Sequence, residues 1–187
     1  PSNTPFTKIS KTESLGATVI LAGENLSDSQ QEADRLVKSN GLTLIHPYDD
    51  IDVITGQGSV ALELLDAQPN LEAIVVPIGG GGLISGISIA AKAINAKIDI
   101  FGVEAQNYAS MKATIAGLDA DCGGPTVAEG IAVKTAGQLT RKFVQEHVTD
   151  IFLAAEHEIE AAMQIYLREQ RLVVEGAGAA PLAAVLA

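Results

Sequence analysis

Four consecutive glycines, Gly79 to Gly82, separate the apolar run Val75-Val76-Pro77-Ile78 from an apolar segment beginning Leu83-Ile84. Glycine loses more backbone freedom on folding than any other residue, so a run of them between two strongly apolar elements answers a requirement. The stretch 72–78, EAIVVPI, is apolar beyond its first residue, as in a strand buried on both faces. Residues 83 to 94 then follow a helical period. In an open parallel sheet, ligands bind beyond the carboxyl ends of the strands. A loop that opens a helix there presents unpaired N–H groups at the positive end of the helix dipole, a setting that suits an anion. Gly79, Gly80, Gly81 and Gly82, whose four amides can crowd around one phosphate without Cβ atoms in the way, and Leu83 at the start of the helix are therefore the candidate residues of a phosphate cup.

Two other phosphate loops fail here. A dinucleotide fingerprint needs glycine at its first, third and sixth positions, and the sixth falls on Ile84 or Ser85 depending on register. A nucleotide-triphosphate loop ends in Gly-Lys-Ser/Thr, whereas Gly86 is followed by Ile87. A plain turn is the alternative, and a simple turn rarely needs a glycine quartet.

Short β-branched runs alternate with longer helix-period stretches along most of the chain. Strands are predicted at 17–22, 42–46, 72–78, 98–104 and 150–154. Helices are predicted from about residue 3 to Leu15, from a Ser27–Gln30 capping box through Val37, and over 56–67, 83–94, 135–147, 156–171 and beyond Gly176. This alternation predicts an α/β fold with a parallel sheet, right-handed crossovers and helices on both faces. HPYDD, residues 46–50, reads as a turn where the chain passes between lobes, a smaller one over 1–48 and a larger one over 49–187. The chain opens on a helix with no strand before it and stops inside an apolar helix, so a piece of a larger fold is expected.

Net charge is −11, from 23 acidic and 12 basic residues, a balance that repels nucleic-acid backbones and anionic membranes. Cys122 is the one cysteine, which excludes an internal disulfide and a cysteine-based zinc site. Without basic residues close by in sequence it reads as inert. No apolar run reaches the roughly 20 residues of a membrane span, and a cytoplasmic protein is expected. His46 beside Pro47 reads as structural, and His147 and His157 as solvated. Gln57 and Ser59 open a predicted helix, where a capping role outweighs substrate contact.

The stretches VVPIGGGGLISGI, HPYDD, TGQGSVALELL, FGVEAQNYASM, TVAEGIAV and VVEGAGAAPLAAV occur in an order and spacing that resembles the serine/threonine dehydratase branch of the fold-type II pyridoxal-phosphate enzymes. AEGIAVK with EGAGA looks most like threonine ammonia-lyases. The resemblance implies an incomplete three-layer α/β fold of the fold-type II kind, with pyridoxal 5'-phosphate as cofactor held at Gly79–Gly82. It implies deamination of a β-hydroxy amino acid to a 2-keto acid and ammonia by a homo-oligomer. Serine racemase or hydroxyaspartate dehydratase activity is the alternative within the family; a non-catalytic phosphate-binding module or subunit is the alternative outside it.

The family's covalent lysine lies in a Ser-Phe-Lys-x-Arg-Gly-Ala stretch, and a later Ser-Gly-Gly-Asn-like stretch meets the cofactor ring nitrogen. None of Lys8, Lys11, Lys38, Lys92, Lys97, Lys112, Lys134 and Lys142 stands in such a context. No residue of this sequence is accordingly assigned a catalytic role, and the chain alone is expected to be inactive. Serine racemases bind a divalent ion at positions matching Glu104, the carbonyl of Tyr108, and an aspartate where this chain has Ser110. A divalent or monovalent cation at those residues is a second ligand that the resemblance allows. It also places Glu129 and Glu175 near the cofactor, against the plainer reading of charges favoured at helix starts.

Overall fold

The computed structural model describes all 187 residues, apart from the side chain of Ser27, as two compact units, Pro1–Ile45 and His46–Ala187. In the first, α1 (Phe6–Ser14) follows Pro5, and α2 (Leu26–Asn40) is capped by Asn25, whose side chain accepts from the Asp28 N–H. Asp28 returns the favour, accepting from the Glu24 N–H and from Asn25 Nδ2. The helix starts one residue before Ser27, with Asn25 as its N-cap; the Ser27 side chain, and with it the predicted Ser27–Gln30 box, lies outside the described residues. Gly41, left-handed at φ 64°, ends α2. The predicted strands 17–22 and 42–46 enter no ladder among the described residues. Their composition suits a sheet, but a strand exists only through a hydrogen-bonded neighbour, and Ile20, Leu21, Leu42, Leu44 and Ile45 stay exposed.

The second unit is built on a parallel sheet of order β1-β2-β3: β1 (Ala73–Pro77), β2 (Asp99–Ala105) and β3 (Asp150–Ala154). Val75 pairs with Phe101, and Val103 with Phe152. Alternation along the strands feeds two cores. Ile74, Val76, Ile100 and Ile151 join Ile84, Ile87, Ala91 and Val144 on one face. Val103, Ala105 and Ala154 join Ile159, Ala162, Ala179, Ala180 and Ala183 on the other. Helices α5 (Gly82–Ile94) and α7 (Gln138–His147) supply the first face, and α8 (Glu156–Ile165) and α9 (Gly176–Leu186) the second. Helix, sheet, helix is the three-layer parallel α/β arrangement that the sequence predicts. Among the described residues, no helix is long and apolar enough to cross a membrane.

Three predicted helices have different bounds. The segment 56–67 is two helices, α3 (Ile51–Gln57) and α4 (Ser59–Ala67), meeting at Gly58. The first starts early because the Asp50 carboxylate accepts from the N–H groups of Asp52 and Val53. The join lies against α5, whose Gly86 approaches so closely that an added Cβ would stand 2.3 Å from the Ile54 carbonyl oxygen and 2.7 Å from the Gly58 nitrogen. The helix predicted over 135–147 starts at Gln138, after Gly137. The one predicted over 156–171 passes into a π-turn at Tyr166–Gln170 and ends at Arg171, which is left-handed at φ 59°.

Gly86→Ala tests the helix crossing. Because the obstruction is backbone, the substitution should destabilise the unit by about 1–3 kcal/mol, read as a lower urea midpoint.

Candidate functional site

The glycine run begins where the sheet's hydrogen bonding stops. The Ile78 N–H donates to the Val103 carbonyl at 2.7 Å, continuing the β1–β2 ladder by one residue. Gly81 is left-handed at φ 95° and is the N-cap of α5, which starts at Gly82. The first amide of the helix to find a partner is Ser85, which donates to the Gly81 carbonyl at 3.1 Å. Among the described residues, the N–H groups of Gly79, Gly80, Gly81, Gly82, Leu83 and Ile84 meet no protein acceptor. Yet Gly80, Gly81, Gly82 and Ile84 belong to buried residues. Orphan donors at a helix start are normal, but burying them without a partner is not. The loop's carbonyl side is, by contrast, occupied: Gly80 accepts from Thr140 Oγ1 at 2.7 Å and from the Gly137 N–H at 3.3 Å.

The reason for glycine at each position differs from the expected one. The sequence reading has missing Cβ atoms leaving room for an anion, whereas the directions those atoms would take lead into protein. A Cβ on Gly79 would lie 3.1 Å from Val133 Cγ2 and 3.2 Å from Ile131 Cα; on Gly80, 2.3 Å from the Tyr48 ring. One on Gly81 would lie 2.6 Å from Met111 Cε and 2.8 Å from Thr140 Oγ1; on Gly82, 3.0 Å from Tyr48 Cα. Close packing from several sides excludes side chains, and the unpaired amides are what that packing leaves uncovered.

At Gly80 and Gly82 the packing comes from HPYDD. His46 Nδ1 accepts from the N–H groups of Tyr48 (3.3 Å) and Asp49 (2.8 Å), which bends the chain and bears out a structural histidine. Tyr48 then lies over Gly80 and Gly82, with its hydroxyl donating to the Thr135 carbonyl at 3.2 Å. Burial, with the Asp49 charge adding to it, pushes the Tyr48 phenol above its usual pKa. The Asp49 carboxylate sits on the N-terminus of α7 and accepts from the N–H groups of Gln138 (2.9 Å), Leu139 (2.8 Å) and Thr140 (3.1 Å). Tyr48, Asp49, Gly137 and Thr140 escape sequence reasoning. The available signal was a helix that follows glycine with no capping side chain of its own, and a pair of aspartates with only one local helix to cap.

Glu104 lies on β2 and is fully buried. Its Oε1 accepts from the Met111 N–H at 2.7 Å and its Oε2 from the Lys112 N–H at 2.9 Å, which caps α6 (Ser110–Ile115) across the intervening turn. Burial raises its pKa to about 7 against the opposing pull of those two N–H groups and the Lys112 charge. Tyr108 belongs to the short turn Gln106–Tyr108, and its hydroxyl donates to the Gly124 carbonyl. Ser110 is buried with its Oγ unpartnered. The residues of the cation expectation thus gather in the β2–α6 connection. Among the described residues, no group of three or more His, Cys, Asp or Glu comes together there or elsewhere.

The Glu175 carboxylate comes close to Gly130, the residue after Glu129. A Cβ on Gly130 would stand 3.0 Å from Glu175 Oε1, while Gly79 packs on Gly130 and Ile131. Both carboxylates belong to exposed residues. Gln57 lies at the end of α3 against Gly86, and Ser59 Oγ donates to the Gly56 carbonyl. His147 stacks on Phe143, and His157 is exposed. Burial, then the charges of Glu104 and Asp121, push the Cys122 thiol up, which accords with an inert cysteine.

Because Glu104 holds its proton more tightly in the fold than an ordinary glutamate does at 4.5, the native state binds more protons than the unfolded one between pH 4.5 and about 7. Its contribution should be most favourable below that window and fall as pH rises through it, by about 3 kcal/mol at most. Glu104→Gln should flatten the slope of unfolding free energy across the window, measured by urea denaturation at a series of pH values.

A family model described as "Pyridoxal-phosphate dependent enzyme" matches residues 1–187. The L-threonine ammonia-lyase of Thermotoga maritima is 42% identical over 188 aligned positions, which cover 100% of this chain and 47% of that protein. The chain spans about half the length of the curated relatives it matches. Among solved structures, maize serine racemase superposes with a TM-score of 0.94 at 33% identity, covering 100% of this chain and 57% of that one. The processed form of threonine deaminase isoform 2 from Solanum lycopersicum gives 0.90 at 34% identity, covering 98% and 51%.

Proposed function

Because the chain belongs to the pyridoxal-phosphate dependent enzyme family, we propose that Gly79–Gly82 and Leu83 anchor the cofactor phosphate in an ammonia-lyase acting on a β-hydroxy amino acid. The observation that carries the reading is the row of unpaired amides from Gly79 to Ile84 at the start of α5, in a segment whose carbonyl side is already bonded. Such a row fits a phosphate group: each N–H can donate to an oxygen, and the helix dipole adds its positive end. The fit requires no basic side chain, which matters in a chain of net charge −11.

When bound, the cofactor supplies the electron sink that lets an α-proton leave, followed by loss of the β-hydroxyl and release of a 2-keto acid and ammonia. The work of these residues is to bind and orient. The loop amides hold the anionic end, Tyr48 walls the glycine side of the loop, and Asp49 fixes α7, which holds the Gly80 carbonyl turned aside. Glu129 and Glu175 stand on turns that pack toward Gly79, and are the candidates among these residues for lining the same site. Glu104 serves as the cap of α6 in this reading, with both oxygens already accepting amide hydrogens. The threonine ammonia-lyase relative favours threonine, and serine is the nearest competitor by chemistry. A homo-oligomer, a cytoplasmic location, and a small lobe over 1–48 beside a cofactor lobe over 49–187 complete the proposal. Family resemblance supports the first and the single cysteine the second; the third is supported by the division of the chain into two compact units, although that division falls after Ile45 and leaves His46 and Tyr48 with the larger unit.

Equilibrium dialysis tests the anchoring. The chain should retain pyridoxal 5'-phosphate but not pyridoxal, and inorganic phosphate should compete. Gly81→Ala, strained at φ 95° and blocked by Met111 and Thr140, should weaken retention by roughly tenfold or more. Equal retention of pyridoxal and its phosphate would contradict the anchoring. Separately, the natural protein containing this chain should release a 2-keto acid from threonine; none from threonine or serine would contradict the ammonia-lyase activity while leaving the phosphate site standing.

A further inference from the structure

The Gly80 carbonyl has two partners, and the geometry around them assigns a role to Thr140. The peptide between Gly80 and Gly81 is trans, as no cis bond occurs among the described residues, so its C=O and N–H point to opposite sides. Thr140 Oγ1, fully buried, donates to the Gly80 oxygen at 2.7 Å. That contact holds the oxygen on the α7 side and sends the Gly81 N–H away from α7, where it stays unpaired. Rotating the peptide half a turn would break the 2.7 Å bond and turn the Gly80 oxygen to the side where the Gly81 N–H now points. The amide would then face α7 and be lost to any anion.

The donor beside it reinforces the orientation that the hydroxyl holds. The Gly137 N–H, 3.3 Å from the same oxygen, can only donate, so it disfavours the rotated peptide. The neighbouring donors of α7 are unavailable for that task because Asp49 accepts those of Gln138, Leu139 and Thr140. Gly137 itself must lack a side chain: a Cβ there would fall 2.4 Å from Asp49 Oδ1 and 2.5 Å from Thr140 Oγ1.

We infer that Thr140 is a positioning residue whose hydroxyl sets the polarity of the 80–81 peptide, keeping the Gly81 N–H free for the loop's anion. The inference rests on the phosphate reading for its consequence, but its geometric content stands apart from it. Thr140→Val keeps volume and β-branching while removing the hydroxyl, and Thr140→Ser keeps the hydroxyl. Crystal structures of the two variants read the peptide orientation, and equilibrium dialysis with inorganic phosphate reads the loop.

The expected result is a rotated 80–81 peptide in Thr140→Val, with phosphate affinity lowered about three- to tenfold. Thr140→Ser should restore both. An effect of packing alone would lower the melting midpoint without rotating the peptide. A wild-type orientation in Thr140→Val overturns the inference whatever the affinity. If the wild-type chain binds no phosphate, the functional reading fails, and the peptide orientation alone decides the role of Thr140: rotation supports it, retention overturns it. Should Thr140→Val fail to fold, Thr140→Ala serves the same comparison with the same two outcomes.

Discussion

A buried amide that donates to nothing is expensive, about 1–3 kcal/mol for each group denied both water and a partner. The segment from Gly79 to Ile84 holds a row of amides with no protein acceptor among the described residues, several of them in buried residues. Such an arrangement persists only where the surroundings leave the chain no better choice. Here the surroundings are specific. β1 delivers the chain to Ile78 with its ladder complete, Gly81 turns it left-handed, and α5 is locked against α3 and α4 by a backbone approach that tolerates no side chain at Gly86. Strand and helix, each well packed, oppose any relaxation of the loop between them.

The second constraint comes from far along the chain. HPYDD acts as a bracket: His46 bends it, Tyr48 presses on the glycines, Asp49 grips the start of α7 and Asp50 the start of α3. Through Asp49 the bracket reaches Thr140, and through Thr140 the Gly80 carbonyl. The proposed anion site is made of peptide N–H groups, so the reading does not depend on an excess of basic residues in a protein of net charge −11. An arrangement of bare amides also suits a ligand held mainly by its phosphate, because orientation follows from several weak donors aimed at one point.

Much of this was legible in the residues. The β1–α5–β2 unit shows as an apolar strand, a glycine run and a helical period, and the later strand and helices follow the same alternation. The anion reading followed from position alone, since a glycine-rich turn between strand and helix in a parallel sheet has few other uses. The cause assigned to the glycines was incomplete, because the atoms that forbid a Cβ lie on Tyr48, Met111, Ile131, Val133 and Thr140, distant in sequence from the loop. Thr140 and Asp49 escaped for the same reason: their hydrogen bonds span long stretches of chain and leave no local pattern. The strands expected over 17–22 and 42–46 show the opposite failure. Composition favoured a sheet there, and no ladder partner is present to make one. At Gly58 the signal was visible in TGQGS, but a single helical period across it concealed the break.

The central claim is that the unpaired amides of the loop are the ones that receive an anion. Backbone amide NMR of the isotopically labelled chain, titrated with inorganic phosphate, tests it directly. The account predicts that the resonances of Gly79 to Ile84 move together and saturate along one binding curve, with those of α9 unmoved. Phosphate-induced shifts confined to other segments, with the loop amides stationary at saturation, would contradict it.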